Sequence, residues 1–312
     1  MSDASGGEFS LEPRVDVYGI SLEVGPMIRD VSVGRMQAAI ERLAVSPRDV
    51  VEDHAAALAA ADFVDSELQT IGLATRRVDA EAQGVVLPSV WSEIPGTESD
   101  ATFVFLAHYD TVPGSPGADD NASGVAGMLE IARILKENPL PVRTVVATAG
   151  FEEMGNFAGS AAVAQALHGE TEMIGMISLE MIGFTTDEPS TFLPIPADFL
   201  AIVGDDKSEA FIHTFHSAAA RWLPQRRVIP IAMDPEVNTN VRRSDHAAFW
   251  ALGVPAAMAT DTANFRNPHY HQPTDTPDKI DYDFARDCTS ALMIGGAAYS
   301  RLWVDGGVPP LS

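Results

Sequence analysis

Three short apolar runs alternate with two segments of helical periodicity between residues 101 and 180, and this alternation constrains the fold more than any other feature of the chain. Residues 101–107, 142–149 and 174–179 lack the polar alternation of strands with one wet face, while residues 121–137 and 158–167 place apolar positions three and four apart. Strands buried on both faces lie parallel, and the chain has to cross over through a helix between them. The expectation is an α/β fold, a three-layer α/β/α sandwich with a mixed, mostly parallel central sheet. The flanking sequence extends the plan. Met36, Ile40 and Leu43 recur at helical spacing, and residues 54–71 form an Ala-rich helical stretch that stops at Gly72. Residues 73–78 and 84–94 alternate like an antiparallel pair. A helix over 207–222, a strand near 227–231, a helix over 246–252, a strand at 255–259 and a closing helix over 282–302 follow. Residues 1–30, rich in Gly, Pro, Ser and acid, read as an extended N-terminal arm, residues 31–312 as a single domain, and residues 184–200, with three prolines, as an insertion or flap.

At 312 residues and 46% hydrophobic, one large core accounts for the chain, because single cores stop growing near ~250–300 residues. The formal charge of −24 argues against nucleic acid and against anionic membranes as partners, since both require clustered Lys and Arg. The first ten residues have neither a basic nor an apolar leader region, and no apolar run is long enough to span a bilayer, so a cytoplasmic protein is expected; a secreted form whose leader has been removed would look the same. Neither charge nor composition fixes an oligomeric state.

Four stretches each set a metal-type donor beside a carboxylate: His108-Tyr109-Asp110, Asp119-Asp120-Asn121, Glu152-Glu153, and His269-Tyr270-His271 with Asp275 close behind. Glu180 ends the run 174–179, so His108, the Glu152-Glu153 pair and Glu180 all follow strands, at the edge where open α/β sheets bind ligands. Cys288 is the single cysteine, which excludes an intrachain disulfide and leaves imidazole and carboxylate as the donors for any zinc. His108 with Asp110 also fits a structural histidine; in the functional reading His108 binds metal and Asp110 fixes its tautomer. A helix cap accounts well for Asn121 or Ser123 but less well for two adjacent acids in a Gly-bounded loop, and Asp120 is the expected bridging carboxylate. Two glutamates side by side after an apolar strand are costly unless cations offset them. Their side chains diverge, so one suits a ligand and the other a free proton shuttle. His269 and His271 project to the same side of an extended backbone, and only one of them need be a ligand.

In this order, H-x-D, G-A-D-D-N-A-S-G, E-E after a strand with G-S a few residues on, an acid after a strand, and H-Y-H-x-x-x-D-T resemble the M28 family of co-catalytic zinc peptidases, which includes bacterial leucyl aminopeptidases. The resemblance covers about residues 101–281; Ser244-Asp245-His246 and residues 265–271 also look like bacterial members. It implies a zinc-dependent exopeptidase fold for residues 31–312 and two zinc ions per chain, one held by His108, Asp120 and Glu180, the other by Asp120, Glu153 and His271. It further implies Glu152 as general base, Tyr270 as a hydrogen-bond donor to the reacting carbonyl, Asp110 as the partner of the first histidine, and a peptide as substrate, cut at its N-terminal residue. His246 and His269 are not ligands in this match, and Asp245 and Asp275 are supporting groups. One position departs from the family: well-studied aminopeptidases carry Asp where this chain has Glu180. That change accompanies carboxypeptidases and single-zinc glutaminyl cyclases among related enzymes, so a cyclotransferase, a carboxypeptidase or amidohydrolase, and a non-catalytic binding homologue stand as alternatives. Phe249, Trp250, Phe265 and Met181 line either an apolar recess or the core, and Arg226, Arg227, Arg242 and Arg243 either hold a substrate carboxylate or lie solvated.

Overall fold

A computed structural model describes residues 15–17, 19–191 and 195–307. Its strands are β1 Thr75–Ala82, β2 Val85–Ile94, β3 Ser99–His108, β4 Val142–Ala149, β5 Met173–Glu180, β6 Thr186–Pro189, β7 Pro196–Ala197, β8 Leu200–Gly204, β9 Val228–Ala232 and β10 Ala256–Thr260. Its helices are α1 Gly25–Arg29, α2 Val33–Leu43, α3 His54–Ile71, α4 Gly124–Glu137, α5 Ala158–His168, α6 Glu209–Trp222, α7 His246–Trp250 and α8 Tyr282–Val304. Eight strands form one sheet in the order β1-β2-β4-β3-β5-β10-β8-β9, and β6 pairs with β7 apart from it. β3 is parallel to both β4 and β5, β5 to β10 and β8 to β9; the other pairings are antiparallel. The sheet is mixed and covered on both faces, as the alternating sequence pattern requires.

The period of two along β3 sorts the core into layers. Phe103 and Phe105 point to the face covered by α2, α3, α4, α6 and α8, while Val104 and Leu106 point to the face covered by α5 and α7, where Val163, Leu167 and Phe249 meet them. Phe103 lies 4.9 Å from the Phe105 ring and 5.9 Å from Phe211, and Phe215 and Tyr299 complete the aromatic cluster. α8 approaches α6 closely enough that a Cβ at Gly295 would stand 2.1 Å from the Phe215 ring. Helix ends are marked where the sequence marks them. The Ser32 side chain accepts from the Arg35 amide at α2, Gly72 ends α3 in the left-handed region, and Asp281 accepts from the Phe284 amide at α8.

Three segments differ from expectation. The part of the expected arm within the described residues contains α1 and sends Val17 and Met27 into the main core, because its apolar side chains find the α8 face; residues 1–14 lie outside the described residues. The expected flap 184–200 holds the small β6–β7 pair, with 192–194 outside the described residues, and is followed at once by β8, a fully buried strand that the neighbouring prolines masked in the sequence. The helix expected from residue 121 begins at Gly124, and Ala118–Ser123 form an irregular turn in which Asp120 and Asn121 leave helical dihedral angles. Among the described residues no helix is long and apolar enough to cross a membrane.

Chain order places the site. The connection leaving β3 runs to β4 on one side, while the chain leaving β5 runs toward β8 on the other, so a crevice opens between the carboxyl ends of β3 and β5. In register, His108 stands opposite Ala149, and Glu180 opposite Thr260, so the ends of β3, β4, β5 and β10 share one edge. α5 supports this edge closely, since a Cβ at Gly159 would meet the Gly150 carbonyl oxygen at 2.3 Å. Gly159→Ala is therefore expected to push the segment carrying Glu152 outward and to lower stability by about 1–3 kcal/mol, read as a reduced urea-unfolding midpoint. An unchanged midpoint would mean the two backbones are not held in contact.

Candidate metal centre

His108 is the last residue of β3 and is completely buried. Its Nδ1 faces the Asp110 backbone carbonyl at 3.2 Å, with the Asp110 carboxylate further away at 3.6 Å. A proton on Nδ1 leaves Nε2 as a lone pair aimed outward. That Nε2 stands 3.4 Å from Asp120 Oδ1 and 3.4 Å from Glu180 Oε2, with no hydrogen-bond partner. A second group repeats the arrangement: His271 Nε2 lies 3.2 Å from Asp120 Oδ2 and 3.1 Å from Glu153 Oε2, and it too has no hydrogen-bond partner. Asp120 thus turns one oxygen to each imidazole.

These separations fit divalent-cation coordination. Ligand atoms about 2.0–2.2 Å from a tetrahedral zinc are about 3.3–3.5 Å from one another. The observed spacings of 3.1–3.4 Å lie at or just below that edge, and orphaned buried nitrogens are what a coordinate bond would satisfy. Donor atoms lie within 4.8 Å of one another in His108–Asp120–Glu180 and in Asp120–Glu153–His271, and also in His108–Glu152–Glu153, an arrangement that would make Glu152 a ligand.

Most of the supporting contacts reach these side chains through backbone. The Asp110 carboxylate accepts the amides of Glu152 at 3.3 Å and Glu153 at 3.2 Å, so it fixes the turn carrying both glutamates as well as lying near His108. Asp275 accepts the amides of Asp119 at 2.9 Å and Asp120 at 3.1 Å. Asn121 donates to the Leu179 carbonyl at 2.7 Å and accepts from the Met181 amide at 3.0 Å, clamping the residues on either side of Glu180. Ser244 donates to Glu180 Oε2 at 2.7 Å and meets Ser178 at 2.9 Å. Asp119 is not among the donor groups; it accepts from Gly183 at 2.9 Å and from Asn267 at 2.7 Å and ties the Asp120 turn to the segment before His271. Backbone in the left-handed region at non-glycine residues gathers here, at Phe151 before Glu152, at Met181 after Glu180, and at His271 itself.

The buried Arg48 was not legible as a site residue. It donates to the carbonyls of Tyr109 at 2.7 Å, Pro116 at 2.7 Å and Gly117 at 3.0 Å, joining the ends of the β3 connection from beneath, and burial lowers its pKa to about 10. Its carbonyl partners make no sequence pattern. His269 meets Thr274 at 2.9 Å and His246 meets the Val241 carbonyl at 2.8 Å, so both stay outside the donor groups. Asp245, fully buried nearby, is pushed up to about 7 by burial against the pull of His108.

Crowded acids and imidazoles bind protons to offset one another. Burial, then Glu180, Glu153 and Asp245, hold Glu152 well above the usual carboxylate range against the pull of His108. Burial also raises Glu153, with Asp120 adding to it. For Asp120 burial works in the same direction, but an imidazole at each oxygen reverses it and holds the group well below the usual range. Burial opposes charging of His271, yet Asp120 and Glu153 raise it to about 10.

A cleft of about 660 Å³ opens over the cluster. Its floor carries Asp120, Glu152, Glu153 and Glu180, and its wall includes Val203, Ile231, Val241, Met258 and Phe265, with Tyr270 and Arg243 at the polar side. Phe249 and Met181 are core residues, and Trp250 packs against the core through an indole hydrogen bond to the Ala256 carbonyl at 3.0 Å.

Clustered imidazole and carboxylate donors at the switch point of a three-layer α/β/α sheet are the arrangement that a metal-dependent hydrolase would use. The family model "Peptidase family M28" matches residues 89–294, well over half of the chain, and the chain belongs to that family. The Escherichia coli (strain K12) protein YfbL is 36% identical over 209 residues, covering 60% of this chain and 64% of that protein. Aminopeptidase YwaD of Bacillus subtilis (strain 168) is 30% identical over 184 residues, covering 56% of this chain and 36% of YwaD. The matches thus span less than two thirds of either relative's length. Among solved structures, an aminopeptidase from Aneurinibacillus sp. strain AM-1 superposes with a TM-score of 0.70 at 17% identity, covering 89% of this chain and 96% of that one. Glutaminyl cyclase of Bacteroides thetaiotaomicron superposes at 0.66 and 17% identity, covering 86% and 98%. Both likenesses show the fold.

Two outcomes test the centre. Removal of the Asp275 carboxylate in Asp275→Ala strands two backbone amides next to Asp120 and is expected to weaken metal affinity about 10–100-fold in chelator competition, with His269→Ala leaving metal content unchanged. An imidazolium cannot ligate, so metal binding displaces the proton that His271 holds below about pH 10, and affinity rises with pH through the neutral range. Calorimetry in buffers of different ionisation enthalpy should show proton release at pH 7; no release would contradict ligation by His271.

Proposed function

We propose that this protein is a zinc-dependent aminopeptidase that hydrolyses the first peptide bond of short peptides. The observation that carries the reading is the sharing of Asp120: two donor groups meet at its two oxygens, while Glu152 lies beside both with no hydrogen bond to its carboxylate among the described residues. In this reading His108, Asp120 and Glu180 hold one zinc ion and Asp120, Glu153 and His271 a second. Bound there, the ions supply Lewis acidity, which polarises a carbonyl and acidifies water. The family membership and the imidazole-carboxylate donor set both support zinc.

The remaining steps belong to the chain's own groups. Glu152 takes a proton from the attacking water as the water oxygen bonds to the scissile carbonyl carbon. It returns that proton to the amide nitrogen as the C–N bond breaks. Tyr270 accepts a hydrogen bond from Arg243 at 3.0 Å, which leaves its own proton free for the oxygen of the carbonyl. Burial raises the Tyr270 pKa, with Asp120 adding to it, so the hydroxyl stays protonated and remains a donor. The carboxylate oxygens left beside the ions, with Glu152 and Glu180 nearest the cleft, suit the free ammonium of a peptide's first residue, and the apolar wall its side chain. Glu180, one methylene longer than the family's aspartate, still brings Oε2 within 3.4 Å of His108 and is held by Ser244. The longer side chain therefore does not by itself remove the first donor group.

A single-zinc glutaminyl cyclase is separated from this reading by stoichiometry. Mass-spectrometric metal analysis is expected to give two zinc ions per chain, and one per chain for His271→Ala; a single ion in the unaltered protein would favour the cyclase. Glu152→Gln is expected to retain both ions while kcat on leucyl peptides falls about 10²–10⁴-fold. Loss of an ion in that variant would make Glu152 a ligand, and near-normal turnover would remove it as the base.

A further inference from the structure

Four carboxylates face one cation across the cleft, for Arg243 is the single Lys or Arg among the described lining residues. Acids outnumber bases in the chain by 44 to 20, and the adjacent Arg242 pairs with Glu236. Arg243 pairs with no carboxylate among the described residues. Its guanidinium is held by neutral acceptors instead: Nη1 donates to Asn264 Oδ1 at 2.9 Å and Asn240 Oδ1 at 3.4 Å, and Nη2 to the Tyr270 hydroxyl at 3.0 Å. Asn240 is itself anchored, with its amide and side chain donating to Asn238 Oδ1 at 3.1 and 3.0 Å. The charge is oriented but not neutralised.

A guanidinium carries five N–H donors, and these three contacts leave Nε–H and one Nη2–H. Nε–H and the neighbouring Nη2 make up the side-on edge through which a guanidinium meets a carboxylate bidentately. The edge stands one tyrosine away from the metal centre, since the Tyr270 ring stacks on His271 at 3.7 Å. Two extended residues span about 7 Å, the scale on which a peptide with its ammonium over the acidic floor presents its next carboxylate.

We infer that Arg243 is a carboxylate-binding subsite, which makes short peptides bearing a free carboxylate just beyond the scissile bond the preferred substrates. The inference rests on the peptidase reading for its substrate class, and on the cleft geometry alone for the binding site. The carboxylate has two sources, the C-terminus of a dipeptide or an acidic side chain following the released residue.

Calorimetry with reduced peptides, in which CH2–NH replaces the scissile amide, tests it without turnover. The ligands are reduced leucyl-leucine as free acid, the same compound as C-terminal amide, and reduced leucyl-glutamate as C-terminal amide. The unaltered holoenzyme is expected to bind the free acid about tenfold more tightly than its amide, a difference that Arg243→Met brings to near unity and Arg243→Lys retains in part. The glutamate arm shows whether a side-chain carboxylate serves equally, and tight binding in either acidic arm supports the subsite. Equal affinity for all three ligands overturns it, as does a preference that survives Arg243→Met; uniform weakening of every ligand in that variant would reduce Arg243 to a positioning residue for Tyr270. Failure of the holoenzyme to cleave intact leucyl peptides, with the acid preference present, would instead remove the peptidase reading and leave the subsite standing.

Discussion

Mutual repulsion among buried acids governs this molecule. Asp120, Glu152, Glu153 and Glu180 converge where two imidazoles are the nearest basic side chains, and each carboxylate has lost most of its water. In a medium of low effective dielectric such a cluster is stable only if positive charge offsets it. The direction of each proton affinity in the site follows from this, as does the fit to divalent ions. The fold contributes by bringing strand ends into register, which fixes the spacing of donors that arrive from distant parts of the chain.

Spacing alone does not hold a cluster of like charges in place. The work falls to backbone contacts: Asp110 gathers the amides of the glutamate turn, Asp275 those of the Asp120 turn, and Asn121 both flanks of Glu180. Arg48 binds the loop carbonyls from below, a buried cation paired with peptide oxygens rather than with the acids above it. Because these anchors act on backbone, they leave the imidazole nitrogens and most carboxylate oxygens of the cluster uncommitted, and only Ser244 reaches a clustered side chain directly, at Glu180. Left-handed backbone at Phe151, Met181 and His271 falls in or beside the turns that carry the clustered donors.

The layered architecture could be read from the sequence because it depends on period: runs such as 142–149 and 174–179 had to be doubly buried, and the helices between them had to cross over. The donor residues were legible for a related reason, since two adjacent glutamates after an apolar strand have few inexpensive explanations. β8 escaped because five buried residues next to a proline-rich stretch carry no periodicity of their own. Arg48, Ser244 and Asn121 could not be assigned their contacts, for each acts on a partner at least 58 positions away. Asp110 shows the boundary between the two cases. Its closeness to His108 followed from adjacency, whereas its grip on residues 152 and 153 exists only after β3 and β4 have paired.

The cleft divides into parts with different obligations. Its floor is built from strand ends and tightly pinned turns, where a shift of a few tenths of an ångström disturbs several donors together. The surrounding wall, from Val203 and Ile231 to Asn238, Asn240 and Phe265, comes from other segments and supplies no donor atom. Changes there alter the shape and polarity met by an incoming molecule while the reactive machinery keeps its dimensions. A scaffold arranged in this way lets selectivity drift across descendants of one gene at little risk to reactivity, since the two properties are written in separate stretches of chain.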